Sequence, residues 1–545
     1  MRPMKTPGVY IVEKSAFPNS VVQVETAVPA FVGFTEIAVN GKKSLRNTPW
    51  RITSMAEFHQ YFGGEPKPMF DLVERSGDPA GSDFELSAKT TPDPLVVPEI
   101  SIEAAATEEG EAPTTTHWDL VQKNPAYALY GAMRLFFNNG GGACYIVSVG
   151  GYTDTISDSA LMAGIDKLVK EPEPTMVVIP ETTRLNRQMS QKVQQKMVSH
   201  AGLKMKSRVA ILDMFAGHND RKWQGGDPVV EFRNDIGVNQ LDFAVSYYPW
   251  LNTSVFGGRD FGFANITPES RPTLIGIMKR DLDPADEKPE RLAGIFEEID
   301  LIAPGALKAA READEALPEE ERKGVPDAAN LDKTLRGIVP VYKEMTDAMA
   351  ERANCMPPAA AMAGIYTMVD NTRGVWKAPA NVSLNAVVSP TVNISHDDQE
   401  DLNVTPQGKS INAIRPFVGE GVLVWGARTL DGNSLDWRYV NVRRTMIMLE
   451  ESIRLASKAY VFEPNTANTW VTMRSMIENF LTGIWKQGGL AGAVPTDAFS
   501  VHVGLGETMT PEDILEGILR ITVLVAISRP AEFIEITFQQ QMQRS

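Results

Sequence analysis

Cysteine is scarce in this 545-residue chain, which holds only Cys144 and Cys355. The two residues lie far apart in the sequence, so they form neither a CxxC-type metal pair nor the dense framework of a disulfide-stapled domain. We interpret both as small buried apolar residues. This usage is typical of proteins made in a reducing compartment.

Long apolar runs are also missing. The best one, from Ile518 to Ile527, is shorter than the roughly 20 residues that a membrane-spanning helix needs, and Arg520 interrupts it. The opening residues, MRPMKTPGVYIVEK, lack the apolar core of a signal peptide. We therefore expect a protein that is made in the cytoplasm and does not insert into a membrane. It would leave the cell by lysis or as part of a particle.

Positive charge is in deficit. The chain has 53 Lys and Arg against 69 Asp and Glu, a formal net charge of -16. Proteins that bind nucleic acid in general carry a basic footprint, so this balance argues against that class. The negative charge favours solubility and opposes premature self-association.

Motifs of catalysis and ligand binding are absent as well. The glycines between Gly33 and Ser44 are wrongly spaced for a phosphate-binding loop, and the residues after Asp281 and Asp283 break a calcium-loop pattern. No HExxH or GxSxG string occurs, and the six histidines are scattered. We interpret the acidic residues at 397–401 as a solvated loop. The sequence thus predicts no catalytic residue, no cofactor and no metal site.

The first residues have the period of two that is typical of strands. Val9 and Ile11 alternate with Tyr10 and Val12, and nothing local offers a partner strand. We treat 1–25 as an N-terminal arm. About 20 extended residues reach roughly 60 Å, well beyond the radius of gyration of roughly 24 Å expected for a compact chain of this length. Such an arm could pair within its own chain or reach a neighbouring subunit.

A short capped helix is predicted at 53–64, with Ser54 as its N-cap, Glu57 three residues later and a glycine pair at its end. It falls in a segment, 26–118, whose last part, 76–118, is rich in Pro, Thr, Glu, Ala and Gly. We interpret 76–118 as a surface insertion.

Helical and strand patterns alternate in the middle of the chain, which we assign to one domain at 119–394. Short β-branched runs between helices predict a parallel sheet with helices on both faces. The charged, Ala-rich stretch 280–335 is interpreted as a helical insertion with solvated faces. The predicted strands are 144–149, 175–180, 208–214 and 241–249, and the predicted helices are 125–138, 158–169 and 186–203.

A C-terminal domain is predicted at 395–527. After a strand at 422–430, Asp436 is the expected cap of a helix with one apolar stripe and an opposite basic face. A second amphipathic helix ends near Gly488, two strands follow near 498–503 and 518–527, and 528–545 forms a C-terminal arm with a strand at 532–538. The stripes are Tyr439, Val442, Met446, Leu449, Ile453, Ala456 and Tyr460 in the first helix, and Trp470, Met473, Ile477, Phe480 and Ile484 in the second.

Several strings resemble the contractile tail sheath family of phage tails and phage-tail-like contractile injection systems. They touch both ends and part of the middle of the chain, and they are most specific in its last third. The strings are TPGVYIVEK, FFNNGGGACYIVSV, RPFVGEGVLVWGARTL, WRYVNVRRTMIMLEESI, VFEPN followed by TW, and RPAEFIEITF. The two insertions have no counterpart that we can place.

The resemblance implies an α+β multidomain fold. The N-terminal segment and the C-terminal third would form a conserved inner α/β domain. The middle would form an outer α/β domain that is subtilisin-like in fold but not catalytic. Extended N- and C-terminal β arms would add strands to neighbouring subunits, and the strand positions expected to do so are Val9, Tyr10, Ile11, Val12, Phe533, Ile534, Ile536 and Phe538.

The same resemblance implies a structural role rather than an enzymatic one. Subunits would stack as hexameric rings around an inner tube, with baseplate and tail terminator or cap proteins as further partners, and a paralogous sheath subunit in some systems. Assembly would take place in the bacterial cytoplasm, and the product would be a virion tail or an extracellular particle. Either solvent or the tube could face the basic side of the first C-terminal helix, where the candidate tube-facing residues are Arg438, Arg443, Arg444 and Arg454.

Two alternatives stay open at this stage. One is the sheath of a type VI secretion system, which usually divides the sheath between two proteins, whereas this chain has both arms. The other is an α/β enzyme with a ligand at the strand ends, which the motif search does not favour.

Overall fold

The computed structural model describes residues 21–74, 101–106, 114–283, 287, 290–322 and 324–536. The strands in this part of the chain are β1 Pro29–Phe34, β2 Val39–Asn40, β3 Lys43–Ser44, β4 Trp50–Ile52, β5 Phe70–Glu74, β6 Ser101–Ala106, β7 Thr114–Gln122, β8 Cys144–Gly150, β9 Met176–Val178, β10 Val209–Asp213, β11 Ala244–Tyr248, β12 Leu251–Thr253, β13 Cys355–Met356, β14 Val382–Ser383, β15 Val387–Pro390, β16 Asn412–Phe417, β17 Gly421–Trp425, β18 Phe499–His502 and β19 Thr522–Val525.

The helices are α1 Met55–Phe62, α2 Leu129–Asn138, α3 Asp158–Lys167, α4 Arg187–Ser199, α5 Pro228–Asp235, α6 Arg271–Leu282, α7 Ala293–Asp300, α8 Ala306–Glu315, α9 Ala328–Ile338, α10 Pro340–Asn354, α11 Ala359–Arg373, α12 His396–Asn403, α13 Val440–Ser457, α14 Ala467–Lys486, α15 Pro495–Ala498 and α16 Pro511–Leu515. Short 3-10 turns and one π-helical turn, His200–Met205, connect several of them.

The chain divides into two compact units. Unit 1 combines residues 1–26, 369–378 and 439–545, and unit 2 combines 27–368 and 379–438. Unit 1 is thus assembled from three separate stretches of sequence. The division before the C-terminal part lies at 439, whereas we predicted it at 395.

Unit 2 is organised by a nine-stranded sheet with the order β14-β17-β16-β11-β10-β9-β1-β8-β4. The six strands from β16 to β8 are parallel, and the outer strands β14, β17 and β4 run antiparallel to their neighbours. All residues of β1, β9, β10 and β11 are buried. Near-continuous apolar strands are what a parallel sheet covered on both faces requires.

The predicted strands and helices between 125 and 249 are confirmed in kind, with ends that differ by a few residues. The predicted extent of this sheet is too short. β1 lies inside the sheet between β9 and β8, and β16 and β17 extend the opposite side, although we assigned these segments to other domains. Hydrogen bonding between strands distant in sequence decides this membership, which local patterns do not reveal.

A second core in unit 2 involves the two presumed insertions. β5, β7 and β6 form an antiparallel sheet, so 76–118 contains ordered strands. Within 280–335, α8 buries no residue, as expected for a solvated helix. The neighbouring segments α7, its following turn and α9 keep exposed positions, but they also have a buried face that the sequence analysis did not predict, where apolar residues pack with Phe70, Leu72 and Leu120. These residues are Ile299, Ile302, Leu331 and Leu335.

Unit 1 is built around α13 and α14. Met448 and Leu449 of α13 pack with Ile477 and Leu481 of α14, and β18 and β19 add Val501 and Val523 to the same cluster. The predicted stripe of α14 is confirmed at Met473, Ile477, Phe480 and Ile484, which are buried, whereas its first member, Trp470, is only partly buried. The predicted cap of α13 is wrong: its N-cap is Tyr439, no side chain caps it, and Asp436 lies upstream.

The capped helix α1 and both cysteines follow the predictions. The Ser54 side chain accepts a hydrogen bond from the Glu57 backbone N–H, and Gly63 ends the helix with a φ of 87°. This left-handed φ suits glycine, which has no Cβ. Cys144 and Cys355 are free thiols in the core.

Two carboxyl groups lie fully buried at the carboxyl ends of neighbouring strands. Glu181 Oε1 accepts from the backbone N–H of Leu129, 3.0 Å away, at the start of α2. Asp213 Oδ1 accepts from the backbone N–H of Ala359, 2.8 Å away, at the start of α11. Both carboxyl groups therefore tie a helix to the sheet. Burial raises the pKa of each to about 7, against the effect of these hydrogen bonds.

Replacement of Glu181 by Gln tests this assignment. A carboxyl whose pKa is raised by folding stabilises the folded state below its unfolded pKa, and this contribution is lost as the pH rises towards 7. We expect Glu181→Gln to remove a slope of up to about 1.4 kcal/mol per pH unit from the unfolding free energy between pH 5 and 7. Chemical denaturation at a series of pH values measures it. The exposed Glu344→Gln is the matched control, and parallel profiles for wild type and Glu181→Gln would contradict the assignment.

Candidate assembly interface

The C-terminal segment is attached to unit 1 at its beginning. The Ser528 backbone N–H donates to the carbonyl of Gly489 at 3.3 Å, and its hydroxyl donates to the carbonyl of Gly488 at 2.9 Å. The Asn441 side chain donates to the carbonyl of Ser528 at 3.2 Å, and the Tyr439 hydroxyl lies 3.0 Å from Glu532 Oε2. Residues 528–532 are therefore held against the start of α13.

Beyond this attachment the segment is uncovered. Phe533, Ile534 and Ile536 are 74%, 79% and 70% exposed. Residues 531–536 form no strand within the described part of the chain, although 532–538 was predicted to be one. Closely spaced, exposed large apolar side chains are unusual on an isolated soluble subunit and typical of an interaction site. The arm positions Val9, Tyr10, Ile11, Val12 and Phe538 lie outside the described residues.

The hairpin of β18 and β19 forms a small sheet of its own. The two strands pair antiparallel, with Phe499 opposite Val525 and His502 opposite Thr522. Within the described residues this sheet has two strands, so each strand has an edge without a partner strand. Two-stranded sheets have little stability alone, and their open edges accept further strands.

The four predicted tube-facing arginines have different environments. Arg443 and Arg444 are only 7% and 4% exposed, so neither is presented on the surface of its own subunit. Their assignment to a solvated basic face is therefore wrong. The first half of α13 is covered on most of its circumference, including positions outside the apolar stripe. Arg454, in the last turn, has a side chain that is 50% exposed and pairs with Glu451 at 2.5 Å.

Arg438 precedes α13 and belongs to unit 2. Its side chain is partly exposed, and its Nε donates to the carbonyl of Ser434 at 3.1 Å. Of the four candidates, Arg438 and Arg454 therefore keep surface that another protein can reach.

Arg444 is the centre of a buried ion pair. Its Nη1 donates to Asp370 Oδ1 at 2.9 Å, and its Nη2 donates to Asp370 Oδ2 at 2.6 Å and to the carbonyl of Thr26 at 3.0 Å. The Thr26 hydroxyl donates to Asp370 Oδ2 at 2.6 Å. The side chains of the pair are 4% and 2% exposed. This two-pronged geometry joins all three stretches of unit 1.

An apolar surface that the sequence analysis missed lies in the loop between α13 and α14. Phe462 is fully exposed, and the preceding Val461 is 61% exposed. Phe462 also has a φ of 72°, a left-handed conformation that costs a bulky residue roughly 1–2 kcal/mol. The string VFEPN contains this pair, but no local pattern distinguishes an exposed Phe from a buried one. An exposed, strained aromatic residue is a candidate contact for another subunit.

One polar cluster has the connectivity of a Ser–His–acid arrangement. His502 Nε2 lies 3.1 Å from Ser500 Oγ, and His502 Nδ1 lies 2.8 Å from Glu507 Oε1. Glu507 also pairs with Arg474 at 2.9 Å. His502 and Glu507 are 41% and 42% exposed, so water reaches the cluster and screens it. We interpret it as a surface polar network that supports the hairpin.

Two kinds of site are not found in the described residues. No group of three or more His, Cys, Asp or Glu side chains in them is placed to hold a metal ion. None of the helices found there combines the length and the apolar character that crossing a bilayer demands.

An attached but uncovered apolar segment, an open-edged hairpin and an exposed aromatic loop are typical of a subunit of a larger assembly. Residues 433–541 match the family described as phage tail sheath C-terminal domain. The resemblance inferred from the sequence is thereby confirmed: this part of the chain is similar to the C-terminal domain of phage tail sheath proteins.

Individual proteins agree with this result. The tail sheath protein of Vibrio phage KVP40 is 25% identical over 197 residues, which cover 36% of this chain and 28% of that protein. The chain therefore spans less than a third of the length of this curated relative.

Solved structures resemble the chain along its whole length. A chain in the baseplate of the anti-feeding prophage is 25% identical with a TM-score of 0.54, and the match covers 99% of this chain and 100% of that one. A chain in the contracted sheath complex of the extracellular contractile injection system PVC is 24% identical with a TM-score of 0.56, covering 99% of both. The mixed α/β fold with its large sheet is shared with these proteins.

Removal of one partner of the buried ion pair should destabilise unit 1 strongly. Asp370→Asn leaves the Arg444 guanidinium buried without a counter-ion, and we expect a loss of about 3–5 kcal/mol in unfolding free energy. Glu451→Gln, which breaks the partly exposed pair with Arg454, should cost at most about 1 kcal/mol. Chemical denaturation of both variants measures the difference. Equal losses would show that Asp370 and Arg444 do not hold the unit together.

Proposed function

We propose that this chain is the sheath subunit of a contractile phage tail or a phage-like injection particle. Its copies stack as hexameric rings around an inner tube and contract to drive that tube through a target envelope. The observation that carries this proposal is the sheath C-terminal domain at 433–541 together with a C-terminal segment whose apolar side chains are uncovered. The whole-length likeness to a PVC sheath complex supports it.

The C-terminal segment acts as a donated strand. Ile534 and Ile536 lie two residues apart, so in an extended conformation they face the same side of a sheet. Strand addition supplies main-chain hydrogen bonds for affinity and alternate side chains for register. The open edges of the β18–β19 hairpin on a neighbouring subunit are the proposed acceptor, and the N-terminal arm is proposed to donate a further strand.

Contact with the inner tube is assigned to the exposed basic positions. Arg454 is the stronger candidate because half of its side chain is accessible, and Arg438 is the second. A rim charge of this kind acts mainly on association rate and register rather than on fold stability. Phe462, fully exposed in its loop, is assigned to contact between sheath subunits.

Contraction is proposed to use energy stored during assembly. The extended sheath would be a metastable array templated on the tube, and the contracted array would have better lateral contacts. A trigger at the baseplate releases one ring, and the linked arms pull the next. Each subunit thus has two states, and the change from one state to the other spreads from neighbour to neighbour. The proposed partners are further copies of the chain, the tube protein, and the baseplate and cap proteins.

Disruption of the donated strand should abolish assembly without unfolding the subunit. We expect Ile534→Asp with Ile536→Asp to prevent ordered tubes in negative-stain electron microscopy of the purified protein. Its circular dichroism and thermal unfolding should remain unchanged, because both side chains are exposed in the subunit. Wild-type protein should give wide, striated hollow tubes, alone or with the tube protein.

The control for the double variant is Val238→Asp, which changes another exposed apolar residue, 78% accessible, in unit 2. It should assemble normally. Tubes of normal length from the Ile534 and Ile536 variant would refute the donated strand. Failure of the wild type to assemble, with or without co-expressed tube protein, would refute the sheath function.

Charge reversal at Arg454 tests the tube contact. We expect Arg454→Glu to weaken co-sedimentation with the tube protein, increasingly so at low ionic strength, where screening is weakest. Self-assembly in the absence of the tube should be unaffected. Arg280→Glu, on the exposed side of α6, is the matched control. An equal effect of both variants would remove Arg454 from the tube interface.

A further inference from the structure

A cavity of about 290 Å³ lies inside unit 2. Pro180, at one wall, follows β9 in a short turn, so the cavity adjoins the carboxyl end of a central parallel strand. The loops 65–68 and 256–265, the start of α2 and the end of α10 complete its walls. In α/β sheets this end of the strands is where ligands bind. The volume suits a small organic molecule.

Most of the wall is apolar. Three phenylalanine rings and two flexible thioethers line the cavity. They can make dispersion contacts with several sides of a planar ligand. These residues are Phe70, Phe256, Phe261, Met349 and Met356. Such a wall favours a ligand with an apolar body of about the size of one ring.

Arg184 is one of four cationic residues at the wall, together with Lys67, Arg259 and Arg352. It is the last residue of the 3-10 turn Pro180–Arg184, and its Nε atom is buried without a hydrogen-bond partner. Within the residues that the structure describes, its guanidinium forms no ion pair. Burial lowers the pKa of Arg184, and the nearby Cys355 and Glu181 oppose that shift. A partly buried guanidinium without an ion pair favours the binding of an anion.

Three acidic residues also line the cavity, Glu65, Asp260 and Asp332, and two of them accept hydrogen bonds from backbone N–H groups. Asp332 accepts from the Phe263 backbone N–H at 3.1 Å, and Asp260 accepts from the Gly257 backbone N–H at 2.7 Å. Glu181 lies three residues before Arg184 in the sequence. Its Oε1 accepts a hydrogen bond from the Leu129 backbone N–H at the start of α2, and its Oε2 is buried without a partner among the described residues. A water between Arg184 and Glu181 is therefore the competing explanation for both orphaned atoms.

We propose that this cavity binds a small carboxylate with a ring-sized apolar body, and that Arg184 pairs with its carboxylate. The planar guanidinium matches a carboxylate through two parallel hydrogen bonds, and in a buried site this pair is strong. The apolar wall holds the ring. This ligand site is separate from the assembly surfaces and does not depend on the sheath function.

The test uses 3-phenylpropionate as the probe and 3-phenylpropan-1-ol as its neutral counterpart, with the full-length chain. We expect saturable binding of the acid by calorimetry, with a matching rise in the thermal unfolding temperature, and binding of the alcohol weaker by about tenfold or more. Arg184→Met should lose the preference for the acid. Arg280→Met, an exposed arginine outside the cavity, should keep it.

Two further measurements make the proposal refutable. Without any probe, Arg184→Met should unfold at the wild-type temperature or higher, because it removes a guanidinium whose buried Nε has no hydrogen-bond partner. Ala353→Leu, at the end of α10, should block the acid by filling the cavity while leaving Arg184 in place.

Several outcomes would overturn the proposal. Equal binding of acid and alcohol, no binding of the acid, or unchanged binding to Ala353→Leu would each exclude a carboxylate site in this cavity. A large drop in the unfolding temperature of Arg184→Met would show that Arg184 is an internal counter-ion of Glu181, with water between them.

Discussion

The buried pair of Arg444 and Asp370 is the interaction on which unit 1 depends. It joins α13 to the last turn of α11, and Thr26 brings the N-terminal stretch to the same point. Apolar contacts alone would allow these three stretches to slide or to be replaced by other apolar surfaces. A desolvated two-pronged ion pair is satisfied in one arrangement only, so it selects the arrangement as well as contributing contact energy. In a unit made from distant stretches of one chain, such an ion pair therefore specifies how the stretches meet.

In unit 2, two buried carboxyl groups are hydrogen-bonded to backbone N–H groups instead of forming a direct ion pair. Glu181 and Asp213 sit at the ends of central parallel strands and bind the first N–H groups of α2 and α11. Buried carboxyl groups with pKa values of about 7 are costly to ionise, but they fix the helices to the sheet. Near Glu181, Arg184 has no direct partner among the residues that the structure describes, and it lines a cavity. At this end of the strands, Glu181 and Asp213 therefore have a structural role, whereas Arg184 is available to a ligand in the cavity.

Local patterns predicted well where neighbours in sequence decide the outcome. The cap of α1 by Ser54 and the stripe of α14 depend on residues three or four positions apart, and both are confirmed. The basic face of α13 shows the limit of such patterns. Arg443 and Arg444 lie off the apolar stripe, which normally means solvent, yet Asp370 and Thr26 cover that side of Arg444. In the same way, apolar residues of 280–335 are spread among charges and find their core only against β5 and β7.

The amino-acid sequence by itself determined the α/β class of the middle, most of its helices and strands, and the likeness to contractile sheath proteins, because these rest on short-range periodicity and on contiguous strings. The tertiary structure alone decided that β1, β16 and β17 share one sheet and that the last stretch of unit 1 starts at residue 439. It also decided that Arg184 lines a cavity and has no direct partner among the described residues. It also left Phe533, Ile534 and Ile536 uncovered. Each of these features depends on contacts between residues that are distant in the sequence. The burial, pairing and desolvation of a side chain are set by those contacts and cannot be read from its neighbours in the sequence.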